Sequence, residues 1–405
     1  MKILFISSIC DKGFFDQLIK NEKNFKPSIA GQRFEKMIAE GINKKEEIEV
    51  LSTIPVSSYP KYSKVFCRKK SNLVLDSIRT NYIFFVNLFL LKQISIFLYS
   101  LVFIFFWILK NKDDKLTILL NVAYIPTSLA AIINGKLFNV HISTLIPDVS
   151  DYRFNYSDNS NLRTKLLNIF AAFSKKIERK FDSYIFLTEE MNNLINVNKK
   201  PYLVMEGLWK DVFGDYKKTV KKDKGKKVVM YAGSIMKKYG IEKLVKAFLQ
   251  INDKKTELWI FGKGDYENEL KEINNEFDNI KYFGLVPHSE IIKYELESDL
   301  LVNPRPTNEE FTKYSFPSKT IEYMASGTPL LTTRLEGIPE EYFDYVFLFK
   351  DEDVIGIKEK ICSIINKDCD YLNSFGKRAR KFILTQKNYL NQTNEILDFL
   401  KEMND

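Results

Sequence analysis

Apolar runs of four to six residues recur along this chain. Between them lie stretches in which apolar positions return every three or four residues. The first pattern fits buried strands and the second amphipathic helices. Ile3–Ser7 reads as a buried first strand, and Ala30-Gly31-Gln32-Arg33 leads into a helical stretch to about Gly41. Further strands are predicted at Glu49–Thr53, Leu116–Asn121, Val140–Leu145 and Ser183–Leu187, with helices at Thr127–Asn134, Leu162–Lys180 and Glu189–Asn196. A basic, aromatic loop occupies Lys61–Lys70.

The pattern stops near Trp209 and restarts after Lys227. Lys217–Lys227 is almost all Lys, Asp and Gly, which reads as an exposed linker. Beyond it, strands are predicted at Val228–Ala232, Leu258–Phe261, Ile280–Phe283, Leu300–Asn303 and Pro329–Thr332. Helices fall at Ile241–Gln250, Ser289–Glu297 and Ser318–Ala325, and a last one near Lys387–Met403 lies beyond the second run. Strands alternating with helices predict parallel sheets covered on both faces. Two such runs give the expected fold class: α/β, two doubly wound Rossmann-like domains facing a cleft. The boundaries expected are 1–207, 208–386 and a terminal helix at 387–405. In such sheets ligands bind outside the carboxyl ends of the strands.

Gln93–Leu109 carries no charge and is flanked by Lys92 and Lys110. Its length is at the lower edge of what spans a bilayer. Three readings stay open: a core helix, a helix dipping into a membrane interface, and a true span. The span would interrupt the strand and helix pattern on both sides.

Composition narrows the class. Hydrophobic residues at 45% and charged residues at 28% fit a globular protein. The net charge of +9 favours anionic partners: phosphorylated ligands, nucleic acid or an anionic membrane surface. The lysines form no stripe interleaved with a nucleic-acid module, so nucleic acid is not an expected partner. Cys10, Cys67, Cys362 and Cys369 have neither metal-ligand nor redox spacing, and the only histidines are His141 and His288. A histidine-based metal site is therefore not expected. The apolar start is too short for a signal peptide, and the expected location is the cytoplasm.

The most informative segment is Tyr314-Ser-Phe-Pro-Ser-Lys-Thr-Ile-Glu322-Tyr-Met-Ala-Ser-Gly327-Thr-Pro329. Pro317 suits a helix start, with Phe316 and Ser318 on either side. The free N–H groups of that start make an anion site, to which Lys319 adds a charge. Glu322 lies one turn on and can accept two hydrogen bonds from a diol such as ribose. From the residues alone, an ordinary amphipathic helix with an exposed Glu322 fits equally well.

The segment resembles the donor-binding helix of family 4 glycosyltransferases, which have the GT-B fold, and in particular the branch acting in bacterial surface polysaccharide synthesis. Tyr231-Ala-Gly233-Ser234, then Tyr239-Gly240-Ile, resembles the loop under the donor diphosphate. Leu258-Trp-Ile-Phe-Gly262-Lys-Gly264 is similar to the next strand and turn, and Phe283-Gly284-Leu-Val286 to the stretch facing the nucleobase. Gln386-Lys-Asn388 and Gln392 resemble the helix that crosses back to the first domain. Ile146-Pro-Asp148 and Leu187-Thr-Glu-Glu-Met191 match more weakly.

The resemblance implies transfer of a sugar from a nucleotide-diphosphate sugar to an acceptor hydroxyl, with retention, and no cofactor or metal. A lipid-linked glycan acceptor at the inner membrane face and peripheral membrane contact go with it. The expected donor-binding residues are Gly233, Ser234, Gly262, Gly284, Val286, Arg305, Tyr314, Phe316, Pro317, Ser318, Lys319 and Glu322. Lys237 and Lys238, which would stabilise the leaving diphosphate, and Asp148 are the candidate catalytic residues. Gly31 and Arg33 are the candidate acceptor residues.

Several positions depart from the family pattern. Many relatives have a glutamate eight residues before the one matching Glu322, where this chain has Tyr314. Ser234 and Tyr239 stand where relatives have Arg and Lys, and Pro147 where a His often precedes the residue matching Asp148. A catalytically degenerate sugar-nucleotide-binding scaffold and a nucleotide-sugar epimerase therefore stay open. Asp351-Glu352-Asp353 and Asp368-Cys369-Asp370 are read as solvated loops. His288 is read as helping to start a helix, and His141 as core.

Overall fold

In the computed structural model, the described residues are 1–21, 28–70, 72–74, 77–121, 124–149, 162–215, 225–251 and 253–404. They fall into two units, 1–206 with 389–405, and 207–388. Most of the expected linker lies outside the described residues.

The first unit is built on an eight-stranded sheet. Its strands are β1 (Lys2–Ser7), β2 (Glu47–Ser52), β4 (Asn72–Val74), β5 (Ile78–Tyr82), β7 (Leu116–Asn121), β8 (His141–Ile146), β9 (Ser183–Phe186) and β10 (Tyr202–Val204). The order is β10-β9-β8-β7-β1-β2-β5-β4. All pairs are parallel except β4 with β5. Two short strands, β3 (Phe66–Cys67) and β6 (Phe85–Val86), pair separately. Strands buried on both faces read as unbroken apolar runs, and Ile3–Ile6 is the example here.

The helices of this unit are α1 (Lys12–Asn21), α2 (Ile29–Ile42), α3 (Phe89–Lys110), α4 (Ile125–Phe138), α5 (Leu162–Glu178), α6 (Glu189–Ile195) and a C-terminal helix at Tyr389–Glu402. The last of these packs on α2, where Gly41 leaves room for Thr393; a Cβ on Gly41 would lie 2.2 Å from the Thr393 hydroxyl.

Helix α3 settles into neither extreme expected for an apolar segment. Ile96, Ser100, Ile104, Trp107 and Ile108 are buried, while Leu90, Ile94, Leu98, Val102 and Phe106 are more than half exposed. Among the described residues it is the one helix long and apolar enough to cross a membrane.

The second unit has six parallel strands: β11 (Lys227–Ala232), β12 (Thr256–Phe261), β13 (Ile280–Gly284), β14 (Leu300–Asn303), β15 (Leu330–Thr332) and β16 (Phe347–Leu348). Their order is β13-β12-β11-β14-β15-β16. The first-made strand lies inside the sheet, and the order reverses between β11 and β14. The helices are α7 (Ile241–Leu249), α8 (Glu267–Glu276), α9 (His288–Glu297), α10 (Ser318–Ser326), α11 (Val354–Ile365) and α12 (Cys369–Thr385); the helix at Tyr389–Glu402 becomes α13. On α7 the buried residues Ile241, Leu244, Val245 and Phe248 recur at helical spacing, against Val229 and Leu258 of the sheet.

The two acidic triplets have definite jobs. The Asp353 carboxylate accepts the Gly356 N–H and caps α11, and Asp368 accepts from Asp370 and Tyr371 and caps α12. An acidic side chain at that position satisfies helix N–H groups that have no partner inside the helix.

Candidate functional site

A pocket of about 230 Å³ opens where the strand order of the second unit reverses. Its walls come from the end of β11 and the turn after it (Tyr231–Ser234), the end of β14 (Asn303) with Arg305, and the start of α10 (Pro317–Lys319). A doubly wound sheet leaves a crevice at this point because the helices depart to opposite faces.

The turns around the pocket are set by close backbone contacts. Gly262 has φ +131, and a Cβ there would lie 1.8 Å from the Gly233 carbonyl oxygen. Only glycine fits. Gly240, at φ +81, packs in the same way on the Pro304 carbonyl. The Tyr323 hydroxyl, fully buried on α10, donates to the Ala232 carbonyl at 3.0 Å and accepts the Ala232 N–H at 2.7 Å. Helix and strand end are thereby locked together beside the pocket.

The start of α10 has Pro317 as its capping residue and no side-chain cap. Its first N–H groups therefore carry the partial positive charge of a helix start toward the pocket side. Arg305 stacks over Tyr239 and Phe311, with its Cζ 4.8 Å and 5.6 Å from the ring centroids, and its Nη1 donates to Ser315 Oγ at 3.1 Å. Asn303, almost fully buried, has an amide nitrogen with no hydrogen-bond partner. A buried amide left this way costs about 1–3 kcal/mol unless a ligand or water meets it.

Glu322 sits one turn into α10, 7% exposed. Its Oε1 lies 2.8 Å from His288 Nε2 and 2.9 Å from Lys319 Nζ. Lys319 also reaches Glu295 Oε1 at 3.4 Å. Burial by itself would raise the Glu322 carboxyl, but the Lys319 charge and the His288 hydrogen bond outweigh it and hold the group well below the usual carboxylate range. Glu295, with no exposed surface, goes the other way: burial pushes it well above that range, and Lys319 only partly offsets this. Burial lowers Lys319 too, yet the charges of Glu322 and Glu295 raise it overall.

The sequence-predicted residues divide accordingly. Gly233, Ser234, Arg305, Pro317, Ser318 and Lys319 line the pocket. Glu322 lies just behind Lys319, outside the lining. Gly262 and Gly284 are joined by the Gly262 N–H to Gly284 carbonyl bond of 2.8 Å, and Val286 follows in the same turn. Phe316 is buried against Tyr342, and Tyr314 ends a short 3-10 helix. None of these last five lines the pocket.

Lys237 and Lys238 do not line it either. The Lys237 ammonium pairs with Glu269 at 2.8 Å, and Lys238 lies over the rings of Tyr239 and Phe311. Their sequence position fits the diphosphate loop, but α8 supplies a carboxylate that captures Lys237. His288 begins a helix, as expected. Its imidazole is also a direct partner of Glu322. Asn303, Glu295 and Tyr323 are not among the residues expected at the site, and Tyr231 and Tyr239 enter the sequence argument only within the diphosphate-loop motif. A polar residue closing a central strand was the one local signal for Asn303.

In the first unit, Gly31 lies in the first turn of α2 and gives its N–H to the Ser28 cap at 3.0 Å. Arg33 follows on the same helix, half-buried, and Asp148 is exposed just beyond β8. A polar cluster surrounds Glu35, at the point between β1 and β7 where this sheet's order reverses. Glu35 accepts the Ser8 N–H at 2.9 Å and the Asn121 amide at 2.6 Å, while burial raises its carboxyl. His141 is half-buried and bonded to Ser183.

All four cysteines are free, and burial pushes Cys10 up to about 12. Among the described residues, no group of three or more His, Cys, Asp and Glu side chains is placed to hold a metal ion.

Comparison with known proteins adds to this geometry. Residues 212–382 match the family described as Glycosyl transferases group 1. No curated protein matches the sequence. Among solved structures, sucrose-phosphate synthase from Thermosynechococcus elongatus is similar at TM-score 0.65 and 15% identity, covering 100% of this chain and 99% of that one. Anabaena HepE in complex with UDP is similar at TM-score 0.62 and 13% identity, covering 99% and 100%. A Rickettsia africae glycosyltransferase is similar at TM-score 0.62 and 15% identity, covering 99% and 98%. Residues 212–382 thus match the family of Glycosyl transferases group 1, and over its whole length the chain has the GT-B fold of these solved proteins.

Proposed function

We propose that this protein is a retaining glycosyltransferase that moves a hexose from a UDP-sugar to an acceptor hydroxyl in surface polysaccharide or glycolipid synthesis. Its setting is the cytoplasm, at the inner face of the membrane, with a lipid-linked glycan as acceptor. One observation carries the reading. An ionised, buried Glu322 stands one turn behind an uncapped helix start, beside a pocket that holds Arg305 at a strand-order reversal. A carboxylate for the ribose diol and cationic groups for the diphosphate are what a nucleoside diphosphate needs. HepE, solved with UDP, shares the fold.

In this reading the Lys319 charge is balanced by the ionised Glu322, so Arg305 and the first N–H groups of α10 take the diphosphate. The charge that builds on the leaving diphosphate as the glycosidic bond opens meets donors that are already oriented. Lys237 can join after leaving its exposed ion pair, since such pairs are worth only about 0–1 kcal/mol. Lys238 stands beside it. Gly284 and Val286 face the base, and Gly31, Arg33 and Asp148 serve the acceptor. No metal is required.

Calorimetry with UDP, GDP, CMP and ADP, on wild type and Glu322→Ala, tests this. The expected result is selective binding of one nucleoside diphosphate, weakened about tenfold or more by the substitution (about 1.4 kcal/mol). Folded protein that binds no nucleotide would overturn the site. Tyr314, where relatives have Glu, favours a second reading as a sugar-nucleotide-binding scaffold. Donor binding without turnover on any acceptor would select it.

A further inference from the structure

The pocket of the second unit is too small for a whole sugar nucleotide. Its volume of about 230 Å³ equals about eight water molecules in the liquid, whereas sites that enclose whole organic ligands run to roughly 300–1,000 Å³. A diphosphate fits, and the nucleoside stays outside. The walls agree with an anionic occupant. Arg305 and Lys319 bring two cations, and the uncapped start of α10 brings free N–H groups. Among the described residues, no carboxylate lines the pocket. The Tyr231 hydroxyl already donates to the Ser234 carbonyl at 2.7 Å, and the Tyr323 hydroxyl is used twice on Ala232.

Asn303 stands on the floor of this chamber. It is the last residue of β14, 7% exposed, and its amide nitrogen has no hydrogen-bond partner among the described residues. Val302, one position earlier, packs into the core formed with α7 and α11. Side chains alternate along a strand, so Asn303 turns to the opposite face, the one that α10 covers. An amide nitrogen only donates. A buried donor with no acceptor in its own protein, at the carboxyl end of a central strand, is suited to an acceptor that arrives with a ligand.

We propose that Asn303 selects a nucleoside diphosphate over a monophosphate, its amide donating to a β-phosphate oxygen on the floor of the pocket. The inference rests on the reading of Glu322 as the ribose contact. Glu322 lies behind Lys319, outside the lining, so the α-phosphate next to the ribose stays near the mouth and the β-phosphate reaches further in. Arg305 attracts any phosphate by its charge. Asn303 adds a directional donor at the far end without a further buried charge to desolvate.

One structural role competes. Thr332, in register with Asn303 on β15, also has a buried hydroxyl with no partner among the described residues. A water bridging the two would make the amide part of the fold.

The test uses Asn303→Leu, which keeps the branched shape but is apolar, and Asn303→Asp, which keeps the shape and loses the donor. Each is melted without ligand and titrated calorimetrically with UDP, UMP and inorganic pyrophosphate, beside wild type and Glu322→Ala. Asn303→Leu should melt at or above wild type, because it removes a buried amide that nothing satisfies. It should weaken UDP and pyrophosphate about tenfold or more and UMP by less than about threefold. Asn303→Asp should weaken UDP further, since its carboxylate faces the phosphate. Wild-type UDP affinity in either variant, or an equal loss for UMP and UDP, overturns the proposal. So does an Asn303→Leu protein that melts well below wild type, which would assign the amide to a water shared with Thr332. Glu322→Ala reports separately on the ribose reading. If it leaves UDP unchanged while Asn303→Leu still loses pyrophosphate, the ribose assignment fails and the phosphate contact stands.

Discussion

His288 Nε2 and Lys319 Nζ both reach the same oxygen of Glu322, Oε1, at 2.8 and 2.9 Å. The carboxylate is therefore held from α9 and from its own helix, and its orientation is set before any ligand arrives. Orienting a binding group in advance removes part of the ordering cost of association. His288→Ala should weaken UDP about three- to tenfold, the worth of about one hydrogen bond. His288→Gln, whose amide can still donate, should recover most of it. Calorimetry on the two variants decides, and equal affinity in His288→Ala and wild type removes His288 from the site.

Arg305 and Lys237 are expected to behave differently. A hydrogen bond to a charged group is worth about 1.5–3 kcal/mol, so Arg305→Ala should weaken UDP by about tenfold or more. Uridine, which has no phosphate, should be much less affected. Lys237→Ala removes a cation that must first leave its ion pair with Glu269, so it should weaken UDP by less than Arg305→Ala does. The ratio of UDP to uridine affinity across both variants is the measurement.

Gly262→Ala should be costly for the fold. It combines φ +131 with a Cβ that would lie 1.8 Å from the Gly233 oxygen. Strain and overpacking of this kind together cost about 2–4 kcal/mol. A urea titration should show a lower midpoint, and an unchanged midpoint would mean that the turn relaxes freely.

Glu35 gives a pH prediction with a defined sign. Its folded pKa is raised, so its contribution is fully present below the unfolded value near 4.5 and is lost as pH rises toward the folded one. Glu35→Gln keeps a neutral, hydrogen-bonding side chain at every pH. Its melting temperature relative to wild type should therefore rise from pH 4.5 to pH 8. A difference that stays flat or falls would show that Glu35 is ionised in the folded protein without cost.

Much of this fold was legible because buried parallel strands are unbroken apolar runs. Val228–Ala232 and Leu258–Phe261 stand out for that reason, and α10 announces itself through Pro317 and Gly327. Other elements carry weaker signals. β5 is Ile-Arg-Thr-Asn-Tyr, with an edge partner of three residues, and α8 buries only Leu270 among ten mostly polar residues. The site divides on the same principle. Residues within the 314–329 segment could be placed by local spacing. His288 and Glu295 reach Lys319 and Glu322 from a different helix, and Glu269 captures Lys237 from 32 residues away. Those pairings depend on tertiary packing, which no local pattern encodes.

The first unit is closed by the last helix of the chain, α13, seated against Gly41 of α2. On the ribosome, residues 1–206 emerge first but lack this packing partner until residues 389–402 follow. The second unit, contiguous from 207 to 388, is complete earlier. A stop codon that removes α13 would thus injure the first unit while leaving residues 207–388 whole.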